Sequence, residues 1–548
     1  MGEQDLPGLP GDDTRVDTSA SGTVSPEVVA QMEAPTRHLG RSPRRGLSRR
    51  TVLIGAGAGA LGLGAAGAGV GAALIHHLTS PPNIFSADAG RIAHLLRRAG
   101  FGPSSSDIGD YLNAGVDGSI DRLLSFSSVA NDALDKRLAA LHLDFTVAED
   151  AMRWFLLRMI YSSRPLEEKM TLFWHGVLTS SIRKLGGKQN FPLIVQQNQL
   201  LRAKGMGRFD DLLRAITVDP AMLYWLDGRL SSGKSPNENY SREMMELFAM
   251  GLGSYTQNDV RQGALALTGW VVRAGKGVFL PRRHYSGAVT FLGHTGAMGV
   301  DEVVKIVCAH PATGKHLAGR MWSFFVYDNP SPADLQPLVD AFYHNDHNIG
   351  AMVRAMLTSP AFFSAKAYRA RIKSPLEFLA GTVRALGLES DGRGLTGVMT
   401  SLGQIPFTPP NVAGWPGDKA SAAWLSTQAW LTRVNFVNLL ATVATDTASK
   451  SAKRANTPNI TLPGGHSIVQ QVIDQRQINT PAGLADYFIA ALLDNTIDAS
   501  HRAVLHDAVA QGGTKGPSFT LANSKKVSAA GVRQMLYLLM SAPGYQMN

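Results

Sequence analysis

Cysteine is almost missing from this sequence: Cys308 is the one thiol in 548 residues. An intramolecular disulfide and a cysteine-based metal site are thereby excluded. Cys308 itself, inside the apolar run VVKIVCAH, reads as a small buried residue. Charge is sparse as well, at 18% of residues, beside 44% hydrophobic ones, which is the composition of a globular body. Acids are outnumbered, leaving a formal net charge of +10. A cluster of six basic residues lies ahead of residue 51, at Arg37, Arg41, Arg44, Arg45, Arg49 and Arg50. No nucleic-acid-binding motif accompanies it, and no basic stripe interleaved with aromatic residues, so no nucleic-acid partner is expected. Internal repeats of roughly 20–50 residues are absent too. The length suits one large domain or two of ordinary size.

What is present begins with residues 1–47, rich in Gly, Pro, Ser, Thr and Asp without periodicity, the composition of a disordered extension. Residues 48–86 differ. Ser48-Arg49-Arg50-Thr51-Val52-Leu53 sets a basic pair directly before an uncharged Gly/Ala-rich run from Val52 to Ile75. Arg49 and Arg50 so placed resemble a twin-arginine export signal, with Val52 where Phe is usual and no Lys following. At ~1.5 Å per residue the run is also long enough to span a bilayer, so an uncleaved membrane anchor is the alternative. Its glycines lower its hydrophobicity and favour export, and Ala87-Asp88-Ala89 offers a cleavage site. The expected location is extracytoplasmic, secreted or membrane-anchored, with twin-arginine export machinery as the first partner. That route carries folded proteins, which suits a chain without disulfides and leaves room for a cofactor loaded before export. The residues identify no such cofactor.

From Ala87 the pattern is helical almost throughout, and the fold class is mainly α: a large multi-helix body over 87–441, a polar surface loop over 442–465, and a C-terminal helical group over 466–548 packed on the body. Amphipathic periodicity predicts helices at Met152–Tyr161 and Leu166–Ser180, and at 191–204, 208–217, 256–270, 301–309, 312–325, 373–386 and 420–441, among others. Thr256 with Asp259 predicts a capping box. Strand-like material is confined to a short hairpin-like insertion near 271–292, where 278–280 and 289–292 flank a turn at Ser286-Gly287.

The stretch Ser235–Tyr255 organises the body. Pro236-Asn237 opens a helix that Gly251 and Gly253 close. At about 100° per residue, Tyr240, Met244, Leu247, Phe248 and Gly251 form an apolar stripe, while Asn239, Arg242, Glu243 and Glu246 gather opposite. That face is either a solvated surface laced with ion pairs or the wall of a cleft. A second helix face carries Glu168, Thr171 and His175. His175 is either a satisfied structural histidine or a partner of the first face in a carboxylate–histidine site. The Glu-x-x-His spacing of di-iron bundles is absent. His284, beside the expected hairpin, reads as an acid/base, a ligand or a surface residue. His344-Asn345-Asp346-His347 reads as an interhelical loop. The rigid, apolar Phe407–Gly417 segment should bury Trp415, as a structural plug or as a pocket wall to which Asn411 adds a polar contact.

In this order, HLLRRAGFGPS at 94–104, EKMTLFWHG at 168–176, PNENYSREMMELF at 236–248, DVRQGALALTGW at 259–270, TFLG at 290–293, KSPLEF at 373–378 and FTPPNVAGWPG at 407–417 resemble the bacterial family known as domain of unknown function 1800, DUF1800, over roughly residues 87–437. The resemblance implies a large helical exported protein, often encoded near sulfatase- or phosphatase-like exported proteins. It carries no established reaction, substrate or cofactor. It also implies a second His at position 177, an Asp at 285 and a Lys at 289, where this chain has Val177, Tyr285 and Val289. Three expectations follow. The first is a hydrolase-type cleft lined by His175, Asn239, Arg242, Glu243, Glu246 and His284, with Glu243 or Glu246 as base and Arg242 as anion clamp. The second is a non-catalytic envelope scaffold or accessory protein binding a co-exported sulfatase- or phosphatase-like partner. The third is a metal-binding protein loaded before export.

Overall fold

The computed structural model describes residues 84–104, 108–446, 458–511 and 516–548. The expected extension over 1–47 and the export signal or anchor with Arg49 and Arg50 lie outside the described residues. The described chain is mainly α, with small two-stranded sheets between helices. Among the described residues no helix is long and apolar enough to cross a membrane.

The Pro165–Val177 helix is the hub, since every one of its residues is buried. Pro165 supplies the preset φ of a first helical position, where a missing N–H costs nothing. A fully buried helix that carries Glu, Lys and His must satisfy each polar group inside the protein. Glu168 is held by Arg158 (2.8 Å) and by both Nε and Nη2 of Arg202 (3.0 and 2.8 Å). Lys169 Nζ donates to Gly100 O at 3.0 Å and pairs with Glu377. Trp174 Nε1 donates to Gly205 O at 2.7 Å. The segments flanking this helix therefore converge on it through polar as well as apolar contacts.

The last residues close on the same body. Ile372 bridges to Met547, Asn548 N–H donates to Arg371 O at 2.8 Å, and Lys373 Nζ donates to Tyr545 O at 2.6 Å. Asp494 is clamped between Arg97 and Arg369, at 2.8 and 2.9 Å. Helices Thr427–Ala444 and Ala529–Ser541 pack against each other.

The insertion near 271–292 differs from the expected hairpin. Strand β1 (Trp270–Arg273) pairs with β2 (Lys276–Phe279), and β3 (Val289–Phe291) with β4 (His294–Gly296), so 278–280 and 289–292 belong to separate hairpins. The physical reason is two tight turns. Ala274-Gly275 (φ 45 and 71) and Leu292-Gly293 (φ 48 and 82) both adopt left-handed conformations, the signature of two-residue hairpin loops. Strands also occur beyond that region: β5 (Glu389–Ser390) pairs with β6 (Ile460–Thr461), and β7 (Ser518–Thr520) with β8 (Lys526–Ser528). The expected surface loop over 442–465 thus contributes one strand, and its residues 447–457 lie outside the described ones.

Candidate functional site

The site grows from the helix that begins at Asn239, whose N–H donates to the Asn237 side chain at 2.8 Å. After one α turn, Asn239–Glu243, the helix widens into a π-helical segment, Met244–Ala249. Met250 N–H reaches back five residues to Met245 O at 2.9 Å. Such widened turns re-aim side chains and recur at functional sites. Gly251, at φ 75, ends the segment; a Cβ there would also stand 2.8 Å from His316 Nδ1. Tyr240, Met244, Met245 and Phe248 are buried on the core side.

On the polar side the four expected residues divide. Asn239 is exposed. Arg242 faces outward, donating to Gln257 Oε1 at 2.9 Å and Glu238 Oε2 at 3.0 Å, so its guanidinium is already occupied. Glu246 Oε2 accepts from Tyr255 O–H at 3.0 Å. Burial, followed by that bond to Glu246, pushes the Tyr255 phenol up to about 12. Glu243 is half-buried and accepts no hydrogen bond from a described residue. Its burial, and then Glu246, raise its pKa against the pull of Arg242.

A second wall is the Pro311–Phe325 helix, packed on the π segment. His316 Nε2 donates to Leu247 O at 3.1 Å, satisfying a carbonyl that the helix end leaves free. Burial holds His316 neutral, lowering it to about 4. Arg320, one turn on, makes no hydrogen bond or ion pair with a described residue. Burial lowers its pKa, and Asp418 opposes the shift.

The third wall is the turn Pro416–Lys419, which also packs on the Pro311–Phe325 helix. It lies against the end of the hub helix so closely that a Cβ on Gly176 would meet Asp418 Oδ2 at 2.5 Å. Burial raises the Asp418 carboxyl to about 7, against Arg371 and Arg320. Lys419 has no bonded partner among the described residues; burial and Arg320 lower its pKa, while Asp418 and Glu246 raise it. Lys419 thus lies near enough to Arg320, Asp418 and Glu246 to feel their charges, and Arg320 and Asp418 act on each other.

The remaining expected residues lie around this cluster or apart from it. His175 is buried behind the third wall, between Phe155, Phe407 and Trp415. Its Nε2 accepts the Phe407 N–H at 3.0 Å, so its proton is on Nδ1, and burial lowers it to about 4. Trp415 is buried, with its ring 5.4 Å from that of His175. Asn411 is exposed and caps its own turn through Ala413 N–H at 2.9 Å. His284 sits at the hairpins, with Nδ1 3.1 Å from Thr268 O and its ring against Phe279. None of these contacts joins His284 to Glu243 or Glu246. Val177 and Val289 are buried among apolar neighbours.

Sequence reasoning missed His316, Arg320, Asp418 and Lys419. Asp418 and Lys419 follow directly on the singled-out GWPG segment, and His316 and Arg320 share a helix face at i,i+4 spacing, so both signals were present. Among the described residues, no three His, Cys, Asp or Glu side chains gather as a metal ion would require. What the arrangement offers is a carboxylate and two cations without a bonded partner among the described residues, and a second carboxyl that burial raises to about 7. The family model described as "Protein of unknown function (DUF1800)" matches residues 94–547, so the match extends through the C-terminal helical group, beyond the residue-437 limit suggested by motifs. No curated protein and no solved structure matches the chain.

Proposed function

The chain belongs to the DUF1800 family, and on that premise we propose that it is an exported, envelope-associated hydrolase-type protein whose site is the cleft between the π segment, the Pro311–Phe325 helix and the Pro416–Lys419 turn. The observation that carries this reading is Glu243: a half-buried carboxylate with raised pKa and no hydrogen bond from a described residue, beside Glu246. A carboxylate in that state is a general base waiting for a proton. In this mechanism Glu243 takes a proton from water as the water oxygen adds to the substrate's electrophilic centre. Asp418, in its acid form, returns a proton to the departing oxygen. Glu246 is held in place by Tyr255, and Arg320 and Lys419 balance the developing negative charge. His175 supports the third wall from behind, in place of direct chemistry.

The test is a panel of chromogenic carboxylate, phosphate and sulfate esters, with the parent beside Glu243→Gln. General-base catalysis is worth about 10²–10⁴-fold, so the variant should lose at least ~100-fold on any substrate the parent turns over. Turnover unchanged in Glu243→Gln would end this reading. Export rests on Arg49 and Arg50. Replacing both by Lys should leave the chain in the cytoplasm on cell fractionation. Retention of the parent in the membrane fraction would mark the N-terminal segment as an uncleaved anchor.

A second reading is a non-catalytic scaffold for a co-exported sulfatase- or phosphatase-like partner. It is favoured by the commitment of Glu168, Lys169 and Arg242 to internal or local ion pairs. Stable co-purification of such a partner from membranes, undiminished by Glu243→Gln, would place this reading first.

A further inference from the structure

Buried and half-buried arginines in this protein are generally tied down. Arg97 and Arg369 clamp Asp494, Arg158 and Arg202 clamp Glu168, and Arg433 donates to Lys373 O at 2.6 Å. Arg320 departs from this pattern. Its guanidinium, with five donors, is half-buried yet unbonded to any described residue. Lys419, exposed on the turn that packs against this helix, carries three more donors with no bonded partner among the described residues. Withdrawing the Arg320 cation from water without a partner is costly, and that cost is recovered when an anion arrives; Lys419, exposed, adds charge from the rim. Neither side chain has a carboxylate of a described residue within ion-pair distance; Asp418 acts on both, and Glu246 on Lys419, only from further away.

We propose that Arg320 and Lys419 form a subsite for an oxyanion, the phosphate, sulfate or carboxylate group of a ligand, seated between the Pro311–Phe325 helix and the Pro416–Lys419 turn. A planar guanidinium grips two oxygens of such a group at once, and a neighbouring ammonium adds a point charge. His316 is neutral and its Nε2–H is engaged by Leu247 O, so it holds the π segment against this wall and adds no charge. Asp418, which acts on both cations, and Glu246, which acts on Lys419, set the selectivity, because a ligand of high charge density competes with them for those cations. The subsite deepens the hydrolase-type reading, which it assumes only in locating the ligand beside Glu243 and Glu246.

Direct titration separates the two claims, because it reads binding without turnover. Inorganic phosphate, sulfate and acetate are titrated calorimetrically into the full chain at low ionic strength, beside Arg320→Gln, Lys419→Gln and the surface control Arg282→Gln. Circular dichroism checks that each variant is folded. The expected result is saturable binding of at least one anion, weakened tenfold or more in Arg320→Gln and in Lys419→Gln and unchanged in Arg282→Gln. The ranking of the three anions identifies which oxyanion source the site prefers. Binding that survives in a folded Lys419→Gln and Arg320→Gln, binding lost equally in Arg282→Gln, or no saturable binding of any of the three overturns the subsite. If the subsite stands while Glu243→Gln leaves ester turnover unchanged, the catalytic reading fails alone.

Discussion

Lys169 and Glu377 stand 208 positions apart and meet as an ion pair inside the protein, Lys169 fully enclosed and Glu377 nearly so. Both belong to segments that carry the family resemblance, and their meeting shows one use of those motifs: they build the interior that holds the site walls. Arg98 lies in the same neighbourhood, its Nε donating to Phe325 O at 2.6 Å at the end of the Pro311–Phe325 helix. The pair joins the hub helix to the Pro375–Ala385 helix, and Arg98 beside it reaches the wall that carries Arg320.

Breaking that pair should be costly. Lys169→Met or Glu377→Gln alone leaves a buried group without its counter-charge, which typically costs about 3–5 kcal/mol. The double variant Lys169→Met, Glu377→Leu should lose less than either single variant. Urea unfolding measures all three, and equal, additive losses would deny the coupling.

The acid limb of stability should carry the mark of Glu377. Burial alone would raise its pKa, but Lys169, Arg98 and Arg371 outweigh burial and pull it from 4.5 to about 2. A carboxylate lowered in the folded state contributes stability in full above its unfolded value and loses it as pH falls through the folded one. Thermal midpoints should drop between about pH 4.5 and 2, less steeply in Glu377→Gln. Identical slopes in parent and variant would count against a paired Glu377.

Asp418 has the opposite sign. Burial raises it from 3.8 to about 7, so the folded state binds the proton more tightly and stability falls as pH rises through that window. The charged groups that act on it are Arg371, Arg320, Glu377 and Lys419. Asp418→Asn should therefore be more stable than the parent at pH 8, by about 4 kcal/mol at most, with the difference vanishing near pH 4. A variant that gains nothing at pH 8 would mean that Asp418 is already ionised there without penalty.

His175 should behave as a structural residue. His175→Ala orphans the buried Phe407 N–H and opens space between Phe155, Phe407 and Trp415, which together cost about 3 kcal/mol or more. With its pKa lowered to about 4, it adds no titration between pH 5 and 8. A histidine NMR titration midpoint near 6.5 for this ring would refute the buried, neutral assignment.

Much of the fold was legible because helix periodicity is written locally. The Thr256–Asp259 capping box forms as read, and Cys308 is buried. The hairpins were misread because their turns use Ala274-Gly275 and Leu292-Gly293, and a non-glycine residue with positive φ gives little local signal. The helix Ile108–Leu124 escaped notice because Gly115, at φ 70, interrupts its period. The polar face of 239–246 was visible, but which of its side chains are free was not. Arg242 is taken by Glu238, one turn earlier at the start of its own helix, and by Gln257 of the next helix, whereas Arg320 has no bonded partner among the described residues. Beyond such i,i+4 pairs, whether a charge is satisfied depends on tertiary contacts that no spacing rule carries.

The most direct test of the account is to see whether an anion sits in the cleft. Selenate soaked into crystals of the full chain can be located by the anomalous scattering of selenium. The account predicts a peak between Arg320 and Lys419, on the side facing Glu246. Selenate bound elsewhere on the protein, with no peak between those two side chains, would contradict it.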